Sequence, residues 1–150
     1  MENKLFEKFK SEKRKQIEEI LNQSGLARLA TANPKTCQPH VVPLWYLWDG
    51  ESVWVSGFAS TRKFKDLMSN SNFAILIEPS DSKKSRLQAV LFEGQAEVIT
   101  EDRIKIEEIS RRIYLRYLGE EGIKNSEPQS WIHDPENMVV RLKPAKIMVW

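Results

Sequence analysis

The sequence predicts a mainly β, α+β fold in which six or seven antiparallel strands close into a barrel and two or three helices flank it. Short apolar segments separated by turn signals, such as Asp49-Gly50, follow one another through most of the chain. Helical periodicity is confined to three stretches. The length of 150 residues and a hydrophobic content of 41% favour one domain, residues 1–150, with a sizeable core.

Each element follows from a local pattern. The N-terminal region, residues 1–24, carries an apolar stripe that predicts an amphipathic helix broken near Ser11. A second long amphipathic helix is predicted over residues 101–118, with Gly119 as its end, and residues 120–136 are predicted to be a loop. The predicted strands cover residues 26–32, 38–48, 52–56, 73–78, 87–100, 138–143 and 145–150.

The strand predicted at residues 38–48 is unusual because both of its faces are almost entirely apolar. An antiparallel strand in a small domain usually keeps one face in water. We therefore expect its outer face to be covered by a helix, a flat ligand or a second copy of the protein. Pro43 has no N–H group, which predicts an edge or a bulge there, and Gly94 predicts a bulge in the strand of residues 87–100.

The segment from Trp54 to Leu67 carries the clearest functional signal, because a strand is followed by a helix whose first turn is cationic. A helix N-terminus has free N–H groups and a positive dipole end, so each cation there opposes an interaction worth about 0.3–1 kcal/mol. The pattern indicates a bound phosphate, held by amides, hydroxyls and cations. The alternative is that the long side chains bend into solvent. The residues concerned are Ser60, Thr61, Arg62, Lys63 and Lys65.

Composition and the absence of certain motifs exclude several classes of protein and of site. A net charge of +2 provides no strong field for nucleic acid or membranes, and no apolar run approaches the roughly 20 residues of a membrane span. The single Cys37 excludes an intramolecular disulfide and a Cys-based zinc site, so we expect a reducing, cytoplasmic setting. No metal site is expected, because His40 and His133 are far apart, and no hydrolase motif is present.

Four segments occur in an order and spacing that resemble the pyridoxamine 5′-phosphate oxidase-like family, the flavin-binding split β-barrels. The resemblance covers roughly residues 26–141, and the segments are residues 29–33, 39–45, 60–67 and 91–98. It implies that the strand-to-helix turn holds the phosphate of FMN. The implied principal contacts are Lys63 and Thr61, with Ser60, Arg62 and Lys65 as further ones.

The resemblance also implies that the isoalloxazine ring lies along the second strand. Such a ring needs apolar walls and a few backbone donors and acceptors. The implied neighbours are the backbone of Val42, Pro43 and Leu44, together with Trp45, Val55 and Ser56.

Family members are typically homodimers with two cofactors at the subunit interface, so we expect a homodimer that acts on a small molecule. Trp131 is expected to pack in the core or the interface, with contact to the partner's cofactor as the alternative. His40 is expected to be a buried, hydrogen-bonded histidine, with contact to substrate or ring as the alternative.

The implied activity is hydride transfer to or from a small organic molecule by an FMN-binding oxidoreductase, without identified catalytic residues. Pyridoxamine phosphate oxidases end in an Arg- and Trp-containing segment, whereas this chain ends at residues 146–150, which argues against vitamin B6 activity. Alternatives are a deazaflavin-dependent reductase and a non-catalytic flavin-binding protein. A distant alternative is a small barrel that binds single-stranded nucleic acid by stacking bases on Trp45, Trp48 and Trp54.

Overall fold

The computed structural model describes residues 3–150 and confirms the α+β split-barrel fold. Seven antiparallel strands form one curled sheet, a half-barrel, in the order β2-β1-β5-β6-β7-β4-β3. The strands are β1 Ala27–Ala32, β2 Pro39–Leu44, β3 Leu47–Trp48, β4 Val53–Phe58, β5 Asn72–Ile77, β6 Val90–Ile99 and β7 Asn137–Val149. The α-helices are α1 Ser11–Leu21, α2 Arg62–Ser69, α3 Arg103–Gly122 and α4 Ser126–His133.

The helices differ from the sequence prediction at one point. The break near Ser11 is confirmed, because a 3₁₀ turn at Lys4–Phe6 precedes α1; positions 1 and 2 lie outside the described residues. The end predicted at Gly119 is confirmed as well: with φ of 74° and ψ of 175°, this glycine leaves the helical conformation and separates the long helix from a further short turn that extends α3 to Gly122. The loop predicted at residues 120–136 is wrong, since α4 forms there and buries Ile132.

The strand predicted at residues 38–48 is divided into β2 and β3. Tyr46 lies between them with its side chain fully buried, and its hydroxyl donates to the carbonyl oxygen of Gln23 over 2.9 Å. Its backbone N–H donates to the hydroxyl of Tyr117 over 3.3 Å, outside the sheet ladder. Burial of this one tyrosine therefore interrupts the strand.

Residues 138–143 and 145–150, for which the sequence allowed one or two strands, form one continuous strand, β7. The bulge is confirmed, because the β6–β7 register shifts between Glu93 and Gly94. A side chain at position 94 would collide with the carbonyl oxygen of Lys143, so only glycine fits there.

Two hydrophobic clusters stabilise the sheet, one on each side of β4. The inner cluster fills the half-barrel and includes a stack in which Trp48 lies between Phe6, at 6.0 Å, and Phe92, at 5.4 Å. The outer cluster packs α3 against the sheet and consists of Leu47, Trp54, Ile106, Ile109, Ile113 and Val139. Alternation along β4 therefore places Val53 and Val55 inside and Trp54 outside.

The edge position predicted for Pro43 is confirmed, since β2 pairs with β1 alone and ends the sheet. Val41 on this strand is 64% exposed, so the predicted surplus of apolar surface persists in the single chain. The role expected for His40 is wrong: it is half-buried and has no hydrogen-bond partner among residues 3–150.

No helix within residues 3–150 is long and apolar enough to cross a membrane. In the same part of the chain, no group of three or more His, Cys, Asp and Glu side chains is arranged to hold a metal ion.

Candidate functional site

The hairpin formed by β3 and β4 opens at the place where cofactor contacts were predicted. Its last paired residues are Leu47 and Trp54, after which the two arms diverge. Trp45 and Ser56 stand two residues further along each arm. Beyond Trp54, β4 pairs only with β7 in the described chain, so its other backbone edge is free at residues 55–57, whereas the carbonyl oxygen of Phe58 accepts from Thr61.

Helix α2 packs against β1 and β6 and buries Phe64 and Leu67 in the inner cluster. Its buried Asp66 accepts a hydrogen bond of 2.9 Å from the hydroxyl of Thr31 on β1. Its first turn instead lies beside β4, where Lys63 and Phe64 approach Gly57. The helix therefore presents its N-terminus next to the free edge of β4.

Lys63 is the cation best placed to receive an anion. Its side chain is half-buried, and no carboxylate among residues 3–150 lies within ion-pairing distance. Burial lowers the pKa of its ammonium group below the ordinary value. A Cβ atom at Gly57 would lie 3.1 Å from Nζ of Lys63, so the glycine leaves room for the ammonium group. A partly desolvated cation without a counter-ion favours an anionic ligand.

Free backbone amides lie beside this ammonium group. Thr61 occupies the N-cap position, but its hydroxyl donates to the carbonyl oxygen of Phe58 over 2.7 Å and caps no amide. Within the described residues, the N–H groups of Arg62, Lys63 and Phe64 therefore have no acceptor. Three amides and one ammonium group are the donor set that helix N-termini use for phosphates.

The other residues predicted to bind phosphate are less well placed than Lys63 to receive an anion. Arg62 places Nε 3.7 Å from Oδ2 of Asp66, which neutralises part of its charge. Lys65 is exposed, without an ion-pair partner in the described chain. The hydroxyl of Ser60 lies 3.5 Å from Oε2 of Glu136, a carboxylate that would repel an anion.

Sequence reasoning missed an aromatic group on the other face of β4. Trp45 stacks on Tyr117 of α3, with ring centroids 4.8 Å apart and an interplanar angle of 6°. Tyr114 meets Trp45 edge-on at 6.0 Å, and Trp131 of α4 meets Tyr114 edge-on at 5.7 Å. Ser56 donates a hydrogen bond of 3.3 Å to the hydroxyl of Tyr114. The sequence had singled out Trp45 and Trp131, but not the pair of tyrosines three apart on one helix face, because such a pair resembles ordinary core packing.

The remaining predicted contacts lie on the two arms. Val42 and Leu44 of β2 are half-buried, Pro43 is exposed at the edge, and Val55 is buried in the inner cluster. The nucleic-acid alternative is wrong about base stacking on Trp48 and Trp54, because these side chains are only 4% and 5% exposed and cannot stack on bases.

Solved structures share this fold. A conserved hypothetical protein from Mycobacterium tuberculosis has a TM-score of 0.72 and 25% identity, over 95% of this chain and 85% of its own. An F420 reductase has a TM-score of 0.69 and 20% identity, over 87% and 94% of the two chains. The heme storage protein HutZ from Vibrio cholerae has a TM-score of 0.70 and 18% identity, over 90% and 92%. The last two identities establish the fold alone.

A search of the curated proteins found no significant match. A search of protein families identified the one described as pyridoxamine 5′-phosphate oxidase, whose model matches residues 14–150. This match covers most of the chain and includes α2, both arms of the open hairpin and the aromatic group. The protein therefore belongs to the pyridoxamine 5′-phosphate oxidase family.

Proposed function

We propose that this protein is an FMN-binding oxidoreductase that transfers a hydride to or from a small organic molecule. The proposal depends chiefly on one observation: the half-buried Lys63 has no counter-ion in the described chain and lies beside open helix amides at the free edge of β4. These groups suit a phosphate that is attached to a larger planar molecule.

The chain's own residues would bind and orient this cofactor. Lys63 and the amides at the start of α2 hold the phosphate, while Thr61 and Arg62 give up part of their present bonds to join them. Ser60 and Lys65 contribute from the exposed rim.

The ring would lie between the two arms of the open hairpin. The carbonyl oxygen of Pro43 and the backbone groups of Ser56 face away from the neighbouring strands and offer acceptors and a donor. Val42, Leu44 and Val55 flank these groups, and Trp45 offers an apolar wall. FMN supplies the hydride-transfer chemistry when bound, so the site needs no protein acid or base.

We further propose that the protein is a homodimer with the cofactor near the subunit interface. The exposed Val41 on the edge strand β2 is the apolar surface that a second copy would cover. Light scattering should then give twice the chain mass of 17.5 kDa, and Val41→Lys should shift the protein towards monomer. A monomeric wild-type protein would contradict the dimer. The cytoplasmic location expected from the single cysteine stays a prediction.

The phosphate assignment is tested by titrating the cofactor-free protein with FMN. Lys63→Met should weaken binding by about 10- to 100-fold, the range expected for loss of a charged hydrogen bond. Lys65→Met is the matched control, because this lysine is on the same helical turn but exposed, and it should change the affinity less than about threefold. Equal effects of the two changes would remove Lys63 from the phosphate site.

A deazaflavin coenzyme is the second candidate cofactor, favoured by the fold shared with an F420 reductase. Mass spectrometry of the ligand released from purified protein distinguishes FMN from the deazaflavin. A turnover assay distinguishes an enzyme from a non-catalytic flavin-binding protein. If the bound cofactor is reduced by a nicotinamide donor and reoxidised by an organic acceptor, the protein is an enzyme, whereas a carrier would show no turnover.

A further inference from the structure

Tyr114 and Tyr117 lie one helical turn apart on α3, but their hydroxyl groups differ in what they bind. The Tyr117 hydroxyl donates to the carbonyl oxygen of Gly25 over 2.7 Å and accepts from the N–H of Tyr46 over 3.3 Å. The Tyr114 hydroxyl accepts from Ser56, and its own proton has no acceptor among residues 3–150. Tyr117 is therefore structural, whereas Tyr114 retains a free donor.

This free donor is surrounded by aromatic surface. Trp45, Tyr114, Tyr117 and Trp131 are each half-buried, so each of these residues remains partly accessible. The rings meet either in parallel, at 6°, or steeply, at 68° and 72°, which are arrangements that aromatic rings adopt with one another and that a further flat ring can adopt with them. The surface therefore suits a planar ligand better than a bulky aliphatic one.

One ionised group contacts this surface. The guanidinium of Arg116 lies over the ring of Tyr117, but it donates to the carbonyl oxygen of Gln23 over 2.6 Å and also lies over the ring of Tyr46, so its charge is engaged there. Burial raises the pKa of the Tyr114 phenol, so it stays protonated through the physiological range and can donate. The ligand is thus expected to be uncharged and to carry an oxygen acceptor.

We propose that Trp45, Ser56, Tyr114 and Trp131 form the substrate subsite, with Tyr117 supporting Trp45 from behind, and that it binds a planar, uncharged aromatic carbonyl compound whose oxygen accepts a hydrogen bond from Tyr114. This inference rests on the proposed function, because Ser56 lies on the free edge of β4 assigned to the flavin ring. It deepens that function by naming the class of substrate.

The test uses two probes that differ in one group: 9-fluorenone, a planar aromatic ketone, and fluorene, which has a CH₂ in place of the carbonyl. Each is titrated calorimetrically into wild-type protein with and without oxidised FMN. Tyr114→Phe should weaken 9-fluorenone binding about fivefold to tenfold and change fluorene binding less than twofold. Tyr117→Phe, the matched control, should leave the preference for the ketone unchanged.

Two results would overturn the proposal: wild-type protein that does not bind 9-fluorenone, or a Tyr114→Phe variant that loses both probes equally or neither. Circular dichroism of each variant shows whether the fold is retained. The same titrations distinguish failure of this proposal from failure of the proposed function. If FMN does not bind while the ketone binds through Tyr114, the flavin assignment is wrong and the aromatic site stands; if FMN binds and the ketone does not, the reverse holds.

Discussion

The two faces of β4 differ in chemistry although they are one residue apart. Gly57 faces α2, where the ammonium group of Lys63 lies against the strand without a counter-ion in the described chain. Ser56 faces α3, where neutral hydroxyls and aromatic rings gather. Because side chains alternate along a strand, a single free edge borders both environments. A cofactor with a charged end and a flat ring matches this division. The closeness of Ser56 and Gly57 in the sequence would not reveal that they face different environments.

The largest effect should come from replacing Gly57, on the charged face, with alanine. At Gly57 the new Cβ would lie 2.8 Å from a ring carbon of the buried Phe64, so Gly57→Ala should lower the free energy of unfolding by about 1–3 kcal/mol. It should also displace Lys63 and weaken FMN binding about tenfold or more. Urea denaturation and FMN titration measure the two effects.

Ser56→Ala is the control for the other face. It removes the hydrogen bond to Tyr114, so we expect a loss of about 1 kcal/mol or less in stability and an FMN affinity within about threefold of wild type. If the two alanine variants lose FMN binding to the same extent, the division of β4 into a charged and a neutral face is wrong.

An intermediate effect should appear in the stability of the Lys63→Met variant, with opposite signs in the two forms of the protein. Without cofactor, the substitution removes a partly desolvated cation and should raise the free energy of unfolding by up to about 0.5 kcal/mol. With excess FMN it should lower stability relative to wild type, because the ligand binds less tightly. Thermal unfolding with and without FMN would show the crossing.

The pH dependence of the cofactor-free protein follows from the same lysine. Because burial lowers its pKa in the folded state below 10.5, the unfolded state binds more protons between the two values. The destabilisation by Lys63 is therefore complete below the lowered pKa and is relieved as pH rises towards about 10.5. Wild-type stability should rise relative to Lys63→Met over this interval, and a constant difference would contradict the assignment.

The smallest effect should come from salt. Raising NaCl from about 50 to about 500 mM should weaken FMN binding about twofold to fivefold, because ions screen the attraction between a phosphate and a partly exposed cation. The affinity for 9-fluorenone should not fall, since this probe is uncharged. A parallel loss for both ligands would mean that the aromatic face also depends on charge.

Much of the local structure follows from the sequence because its causes are local. The Asp49-Gly50 turn, the bulge at Gly94 and the edge position of Pro43 each follow from backbone chemistry at one or two residues. The cationic start of α2 is likewise visible from the order of residues. The family was predictable for a related reason, since its characteristic segments keep their order and spacing.

Other features depend on contacts between distant segments. The loss of strand structure at Tyr46 depends on Gln23 and Tyr117, which are 23 and 71 residues away. Helix α4 forms where the sequence predicted a loop, because Ile132 can be buried against the rest of the fold. Neither outcome is encoded in the local pattern of apolar residues.

The sequence by itself determined the class of fold, the family and the position of the cationic turn, because periodicity, turn residues and charge are read directly from neighbouring positions. Tertiary structure alone decided which cation lacks a counter-ion and which tyrosine keeps a free proton. Lys63 differs from Lys65, and Tyr114 from Tyr117, only in the groups that folding brings beside them. Burial and pairing are properties of surroundings, so residues of one type in one segment acquire different chemistry.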